Sequence, residues 1–127
     1  MPEVRVLKII WFSFMVSIAI FQVVLVMADA EASMDATQAA VIAATGLGPA
    51  LVGVIGVPRF LSHQVAQTAW ILRFACFESM AIFGFVAGFV SGVHALSFGA
   101  AALAWLLMIS IFPTEERYTA WEVRRLE

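Results

Sequence analysis

Four apolar runs of roughly 20 residues, Ile9 to Ala28, Thr37 to Val57, Thr68 to Ser91 and His94 to Phe112, take up most of the 127 residues. Each has about the length that crosses a bilayer core as an α-helix. None alternates apolar and polar residues with a period of two, the signature a membrane β-barrel needs. The connections, Asp29–Ala36, Pro58–Gln67, a tight turn at Gly92-Val93 and a polar tail from Pro113, are too short for a second domain. Hydrophobic residues make up 63% of the chain and charged residues 13%, against roughly 25% charged in soluble domains. The expected fold is an all-α membrane protein with four transmembrane helices, one membrane domain over residues 1–127 and a tail at 113–127. No soluble catalytic domain has room to form, and catalytic activity of its own is not expected.

Charge placement orients the expected bundle. Arg5 and Lys8 precede the first run, Arg59 and Arg73 flank the middle connection, and Arg117, Arg124 and Arg125 follow the last. All seven basic residues thus fall on one side. The first connection carries Asp29, Glu31 and Asp35 and no basic residue. The positive-inside rule places both termini and the Arg59 loop in the cytoplasm. A compact chain of this topology suits a bacterial inner membrane. The basic start, apolar stretch and Ala28-Asp29-Ala30 also mimic a secretory signal with its cleavage site. That apolar stretch exceeds the 7–15 residues of a signal core, so it is read as a retained span.

One acid lies inside a long apolar run: Glu78, near the centre of Thr68 to Ser91. A charge at bilayer depth costs about 2.5 to 3.5 kcal/mol on insertion scales, so such residues face protein or water and mark ion or proton pathways. A carboxyl in apolar surroundings favours its neutral form. It is therefore suited to carrying a proton between polar half-channels.

Two blocks around this residue point to a family. Gly46-Leu47-Gly48-Pro49 is similar to the glycine-rich start of the first helix of the ATP synthase c subunit, the proteolipid of the rotor ring. Phe77-Glu78-Ser79-Met80-Ala81-Ile82-Phe83-Gly84-Phe85-Val86 resembles that family's ion-binding block. The resemblance runs over the second and third spans, which become the family's helical hairpin with an extra helix on each side. It implies that Glu78 is the ion-carrying carboxylate, that Ser79 offers a hydroxyl to the ion or the carboxyl, and that copies of the chain assemble into a homo-oligomeric ring. It also implies a membrane partner subunit that supplies a half-channel. The family's sodium-binding version adds a glutamine and a tyrosine at positions that align with Gly53 and Phe83. The expected ion is accordingly the proton, with sodium second, and no cofactor.

Small residues suggest where helices meet. Gly84, Gly88 and Gly92 recur every four residues on the third span, and Ala36, Ala40, Ala44 and Gly48 do so on the second, a spacing that lets backbones approach. Gly99 to Ala102 add small residues on the fourth. At 100° per residue, the Gly84 stripe lies about 120° from Glu78 around the helix.

The remaining polar features read as structural. Arg73 can snorkel to the cytoplasmic edge and, five residues from Glu78, is poorly placed to pair with it on one helix. His63 and His94 have no ligand-spaced partners, so no metal site is expected. Cys76 sits in an apolar run and has no second cysteine to pair with. Trp11, Trp70, Tyr118 and Trp121 fit interfacial anchoring. In the tail, acids come early and arginines late, the order that suits a helix dipole. Tyr118, Trp121 and Leu126 are expected on the membrane surface with Arg124 and Arg125 at anionic lipid; a partner-docking helix is the alternative. Nothing suggests nucleic-acid binding, and no nucleotide or serine-hydrolase motif occurs. Besides an ion carrier, two classes stay open. One is a structural or adaptor protein in which Glu78 only hydrogen-bonds a neighbour. The other is a small four-helix membrane enzyme, for which only Arg59, His63 and Arg73 offer polar groups at the helix ends.

Overall fold

The computed structural model describes residues 1–28 and 31–127. Asp29 and Ala30 lie outside the described residues, and with them part of the Ala28-Asp29-Ala30 motif and of the acidic connection. All regular structure among the described residues is helical: α1 (Pro2–Ala28), α2 (Ala36–Phe60, built of four consecutive segments), α3 (Ala66–Ser91), α4 (His94–Ser110) and α5 (Glu115–Leu126). Three of these, α1 to α3, are long and apolar enough to cross a membrane. α4 has 17 residues, about 25 Å at 1.5 Å per residue. It would add a fourth span together with α5, from which it is bent by 75°.

The helices pack in a shared register. The inward positions on α1 are Val4, Leu7, Trp11, Phe14, Ile18, Phe21 and Leu25. On α3 they include Trp70, Phe74, Phe77, Ala81, Gly84 and Gly88, and on α4 Ser97, Ala101, Ala104 and Met108. Steps of three and four alternate throughout, the seam of a left-handed bundle. Helix α3 is the hub, packing against every other helix. The outward face stays apolar: Phe12, Val16, Ile20, Val23, Leu51, Leu103, Leu106 and Ile109 are all exposed. Helices apolar on all faces belong in lipid.

The small-residue stripes divide on this register. On α2 the buried face runs Ala39, Gly46, Ala50, Gly53 and Val57, whereas Ala36, Ala40, Ala44 and Gly48 are exposed. A Cβ at Gly48 would meet nothing within 4 Å, so Gly48 is not a packing residue within the chain. The reason is geometric: a repeat of four drifts about 40° per step around a helix, while the contact seam follows an average of 3.5 residues. Gly84 and Gly88 fall on the seam. A Cβ at Gly84 would lie 2.2 Å from that of Ala100, and one at Gly88 2.9 Å from that of Ser97. Gly92 leaves the stripe, because α3 ends at Ser91 and Gly92 adopts φ +70° as its left-handed cap. It makes the tight α3–α4 turn.

Helix α2 is not regular, and its prolines explain where it deviates. Asp35 caps its start, accepting the Gln38 N–H at 2.8 Å. Pro49 cannot donate to the Thr45 carbonyl, and the α-helix is interrupted at Gly46. Pro58 likewise has no N–H. Upstream of it, residues Val52–Gly56 widen into a π-helical turn in which the Val57 N–H reaches Val52 O. That leaves Gly53 O without a helical donor, since Pro58 is the next residue in π register. Arg73 Nε, on α3, donates to it at 2.8 Å. The arginine expected to reach only for the membrane edge thus also stitches α3 to the break in α2.

Helix α5 folds back across one end of the bundle. Thr114 caps it by accepting the Arg117 N–H, with Glu115 and Glu116 in its first turn and Arg124 and Arg125 in its last, as the dipole favours. Trp121 was expected on the lipid surface but is only 5% exposed. It packs edge-on against Trp70 and donates its indole N–H to Gln64 O at 2.9 Å. The carbonyls at the end of α4, which have no partners within the helix, explain Trp11 and Trp70. Trp11 Nε1 donates to Met108 O at 2.9 Å, Trp70 Nε1 to Ile111 O at 2.8 Å, and Arg117 Nη1 to both Ser110 O and Phe112 O. Trp70, at 4% exposure, is a cap within the protein and does not reach headgroups.

Glu122 completes this docking. Its carboxylate accepts the first N–H of α3, from Ala66, at 2.6 Å and pairs with Arg125. The Ala66 hydrogen bond, helped by Arg125 and opposed by partial burial, holds the Glu122 carboxyl below the usual carboxylate range. A depressed acid stabilises the fold fully above its unfolded value, about 4.3, and that contribution is lost as pH falls through the lower folded value. The Trp121 indole N–H resonance should therefore hold from neutral pH to below about 4.3 and shift only in stronger acid. Glu122→Gln should remove that acid transition. A transition at or above the ordinary carboxylate value would disprove the anchoring.

Candidate functional site

Glu78 lies in the middle of α3, between the buried Phe77 and Met80 that face the bundle. Its side chain is half-buried on the flank that meets α1. There Ser17 Oγ donates to Glu78 Oε1 at 2.7 Å. Ser17 is placed by the α1 seam, one residue before the fully buried Ile18. Among the described residues Glu78 Oε2 has no hydrogen-bond partner, yet no unbonded side-chain oxygen there is fully buried. One oxygen is thus held by α1, and the other is reachable from the side of the bundle.

A second polar contact lies further along α1. Ser97 on α4 is fully buried and donates to Gln22 Oε1 at 2.7 Å, while Gln22 Nε2 reaches back to Ile18 O at 3.4 Å. Helix α1 therefore carries the polar partners of both neighbours, Ser17 for α3 and Gln22 for α4. Sequence reasoning weighed charged residues within the spans and passed over these. The signal was present as Ser13, Ser17 and Gln22 inside an otherwise apolar first run.

The residues expected beside Glu78 are not all brought to it. Ser79 Oγ donates to Ala75 O of its own helix at 2.8 Å and, among the described residues, forms no hydrogen bond with the carboxyl. Arg73 is committed to Gly53 and forms no ion pair with Glu78 among the described residues. Helix α2 approaches α3 on another side. A Cβ at Gly46 would lie 3.1 Å from Phe83 Cβ, and one at Gly53 2.7 Å from the Phe77 ring. The site's chemistry accordingly belongs to the α1–α3 seam, while the hairpin of α2 and α3 is closed by glycine contacts. Gly84 and Gly88 serve α4, as described above.

Among the described residues, no group of three or more His, Cys, Asp and Glu side chains is arranged to hold a metal ion. His63 is exposed and contacts Gln64, and His94 stacks edge-on with Phe98. Cys76 is a half-buried free thiol. No protein-family model matches the chain, and no curated protein or solved structure shows significant similarity to it.

Proposed function

We propose that this protein is a small integral membrane proton carrier in which Glu78 takes up and releases the proton. The observation that carries the reading is the geometry of the carboxyl itself. It sits at mid-helix, with Oε1 fixed by the Ser17 hydroxyl and Oε2 open to the side of the bundle. A carboxyl so placed meets lipid at low cost only when protonated, and it gives up the proton when a polar partner or water presents itself. This is the chemistry of the rotor-ring proteolipids that the Glu78 block resembles. In this reading α2 and α3 form the hairpin, α1 and α4 flank it, and copies of the chain surround a common axis. A second membrane subunit supplies the aqueous access.

Orientation follows from charge. The N-terminal ammonium meets Glu115, Lys8 lies over Phe112 and Trp121 reaches Gln64. The start of α1, the connection before α3 and all of α5 thus share one end, and the positive-inside rule assigns that end to the cytoplasm. An even number of spans, with α4 as the fourth, is consistent with this gathering.

The Ser17 bond also favours a second reading, in which Glu78 is a strut tying α1 to α3 in a non-transporting scaffold. Labelling of the detergent-purified protein with a hydrophobic carbodiimide, mapped by mass spectrometry across pH, separates the two. Selective modification of Glu78 is the expected result, since the reagent attacks a protonated carboxyl in an apolar setting. Suppression by sodium would change the assigned ion. Absence of Glu78 modification at every pH would leave the scaffold.

A further inference from the structure

At the basic end, α5 does not close completely over α3 and α4. A cleft of about 340 Å³ remains, lined by Arg73, Arg117, Arg124, Trp70, Trp121 and Ser110 among others. Among the described residues no carboxylate lines it. The five acids placed toward this end are Glu3, Glu115, Glu116, Glu122 and Glu127. Of these, Glu115 pairs with the N-terminal ammonium and Glu122 with Arg125. Among the described residues none comes within ion-pair distance of Arg73, Arg117 or Arg124.

Each of the three guanidinium groups is tethered without being neutralised. Arg73 uses its Nε on Gly53 O, Arg117 its Nη1 on Ser110 O and Phe112 O, and Arg124 its Nε on Ala120 O. A guanidinium carries five N–H donors, so each retains free donors after these contacts. Three guanidinium groups hydrogen-bonded to backbone carbonyls line one cleft, Arg124 the most loosely at 3.4 Å, and a guanidinium fork suits bidentate recognition of a tetrahedral oxyanion. The two tryptophans form its apolar wall and are themselves anchored, so the walls are built before any ligand arrives.

We infer that the cleft between α5 and the ends of α3 and α4 binds a phosphate group, held by Arg73, Arg117 and Arg124. The phosphate comes from an anionic lipid headgroup or from a soluble phosphate compound, and both offer the same chemistry to the arginines. The site is independent of the proton-carrier reading, because it shares no residue with the Glu78 seam.

The test uses the full-length chain in detergent, with two probes and two variants. Phosphatidylglycerol binding is followed by native mass spectrometry, and inorganic phosphate by thermal shift. Arg124 is exposed and its side chain hydrogen-bonds only within its own helix, so Arg124→Gln should leave the fold intact, and it should weaken binding about fivefold. The Arg117→Gln/Arg124→Gln double variant should lose about 25-fold. In the unmodified protein, the bound probe should also protect Arg124 from phenylglyoxal. Losses confined to phosphatidylglycerol assign a lipid, and losses with inorganic phosphate assign a soluble ligand. Binding of both probes that is unchanged in Arg124→Gln, with no protection of Arg124, would overturn the site.

Discussion

Glu78→Gln is expected to abolish proton flux through protein reconstituted in liposomes while leaving the bundle assembled. Glutamine keeps a side-chain oxygen that accepts from Ser17 Oγ, so the 2.7 Å tie between α1 and α3 survives. It cannot take up or release a proton near neutral pH, so the transport step has no carrier. Ser17→Ala gives the complementary result. It keeps the carboxyl but leaves Oε1 without its donor, an omission worth about 1–3 kcal/mol where the group stays buried. That variant should retain flux and lose some stability. If the protein is a scaffold, the order reverses: Glu78→Gln is silent, and Ser17→Ala is the variant with a phenotype. Flux through Glu78→Gln equal to that of the unmodified protein would end the carrier reading.

Gly84→Ala should be the most damaging single-methyl change in the chain. The added Cβ would sit 2.2 Å from Ala100 Cβ and 3.1 Å from Leu96 O. Two carbons cannot approach that closely, and one of the two contacts is backbone, so α3 and α4 must separate along their seam. Overpacking of this kind costs about 1–3 kcal/mol, against less than about 1 kcal/mol regained from the better helix propensity of alanine. Gly99→Ala is the matched control, because a Cβ there meets nothing within 4 Å. Unfolding by titration with a denaturing detergent in mixed micelles should show a lower midpoint for Gly84→Ala and none for Gly99→Ala. Equal midpoints would mean that α3 and α4 do not approach at Gly84.

The two glycines also show where sequence reading succeeds and fails in this chain. Gly84 belongs to small residues spaced four apart and Gly99 to a consecutive run of them, and neither pattern says which glycine meets a neighbour. Gly84 is buried because the seam of α3 passes through it, and Gly99 is exposed because that of α4 passes through Ser97, Ala101 and Ala104. In a chain that is apolar on every face, hydrophobic patterning no longer reveals which face turns inward. The Ala36 to Gly48 stripe lies outside because its repeat of four drifts off the contact seam. Tryptophans raise a related ambiguity. Trp70 and Trp121 have the composition of interfacial anchors, but each indole is drawn into the protein by a carbonyl that a helix end or turn leaves open.

What the sequence determined alone is the set of long apolar helices, the short connections between them, the single acid within a span and the gathering of basic residues toward one end. These follow from hydrophobic length and charge count, which no packing arrangement can alter. The partners were decided only by the tertiary structure. That Ser17 meets Glu78, that Ser97 meets Gln22, that Arg73 completes the broken turn of α2 and that Trp121 brings α5 home are contacts between residues 20 to 75 positions apart. Each depends on how the helices rotate about their own axes. In a uniformly apolar chain that rotation is fixed by close backbone approach at glycines and by a few buried hydrogen bonds.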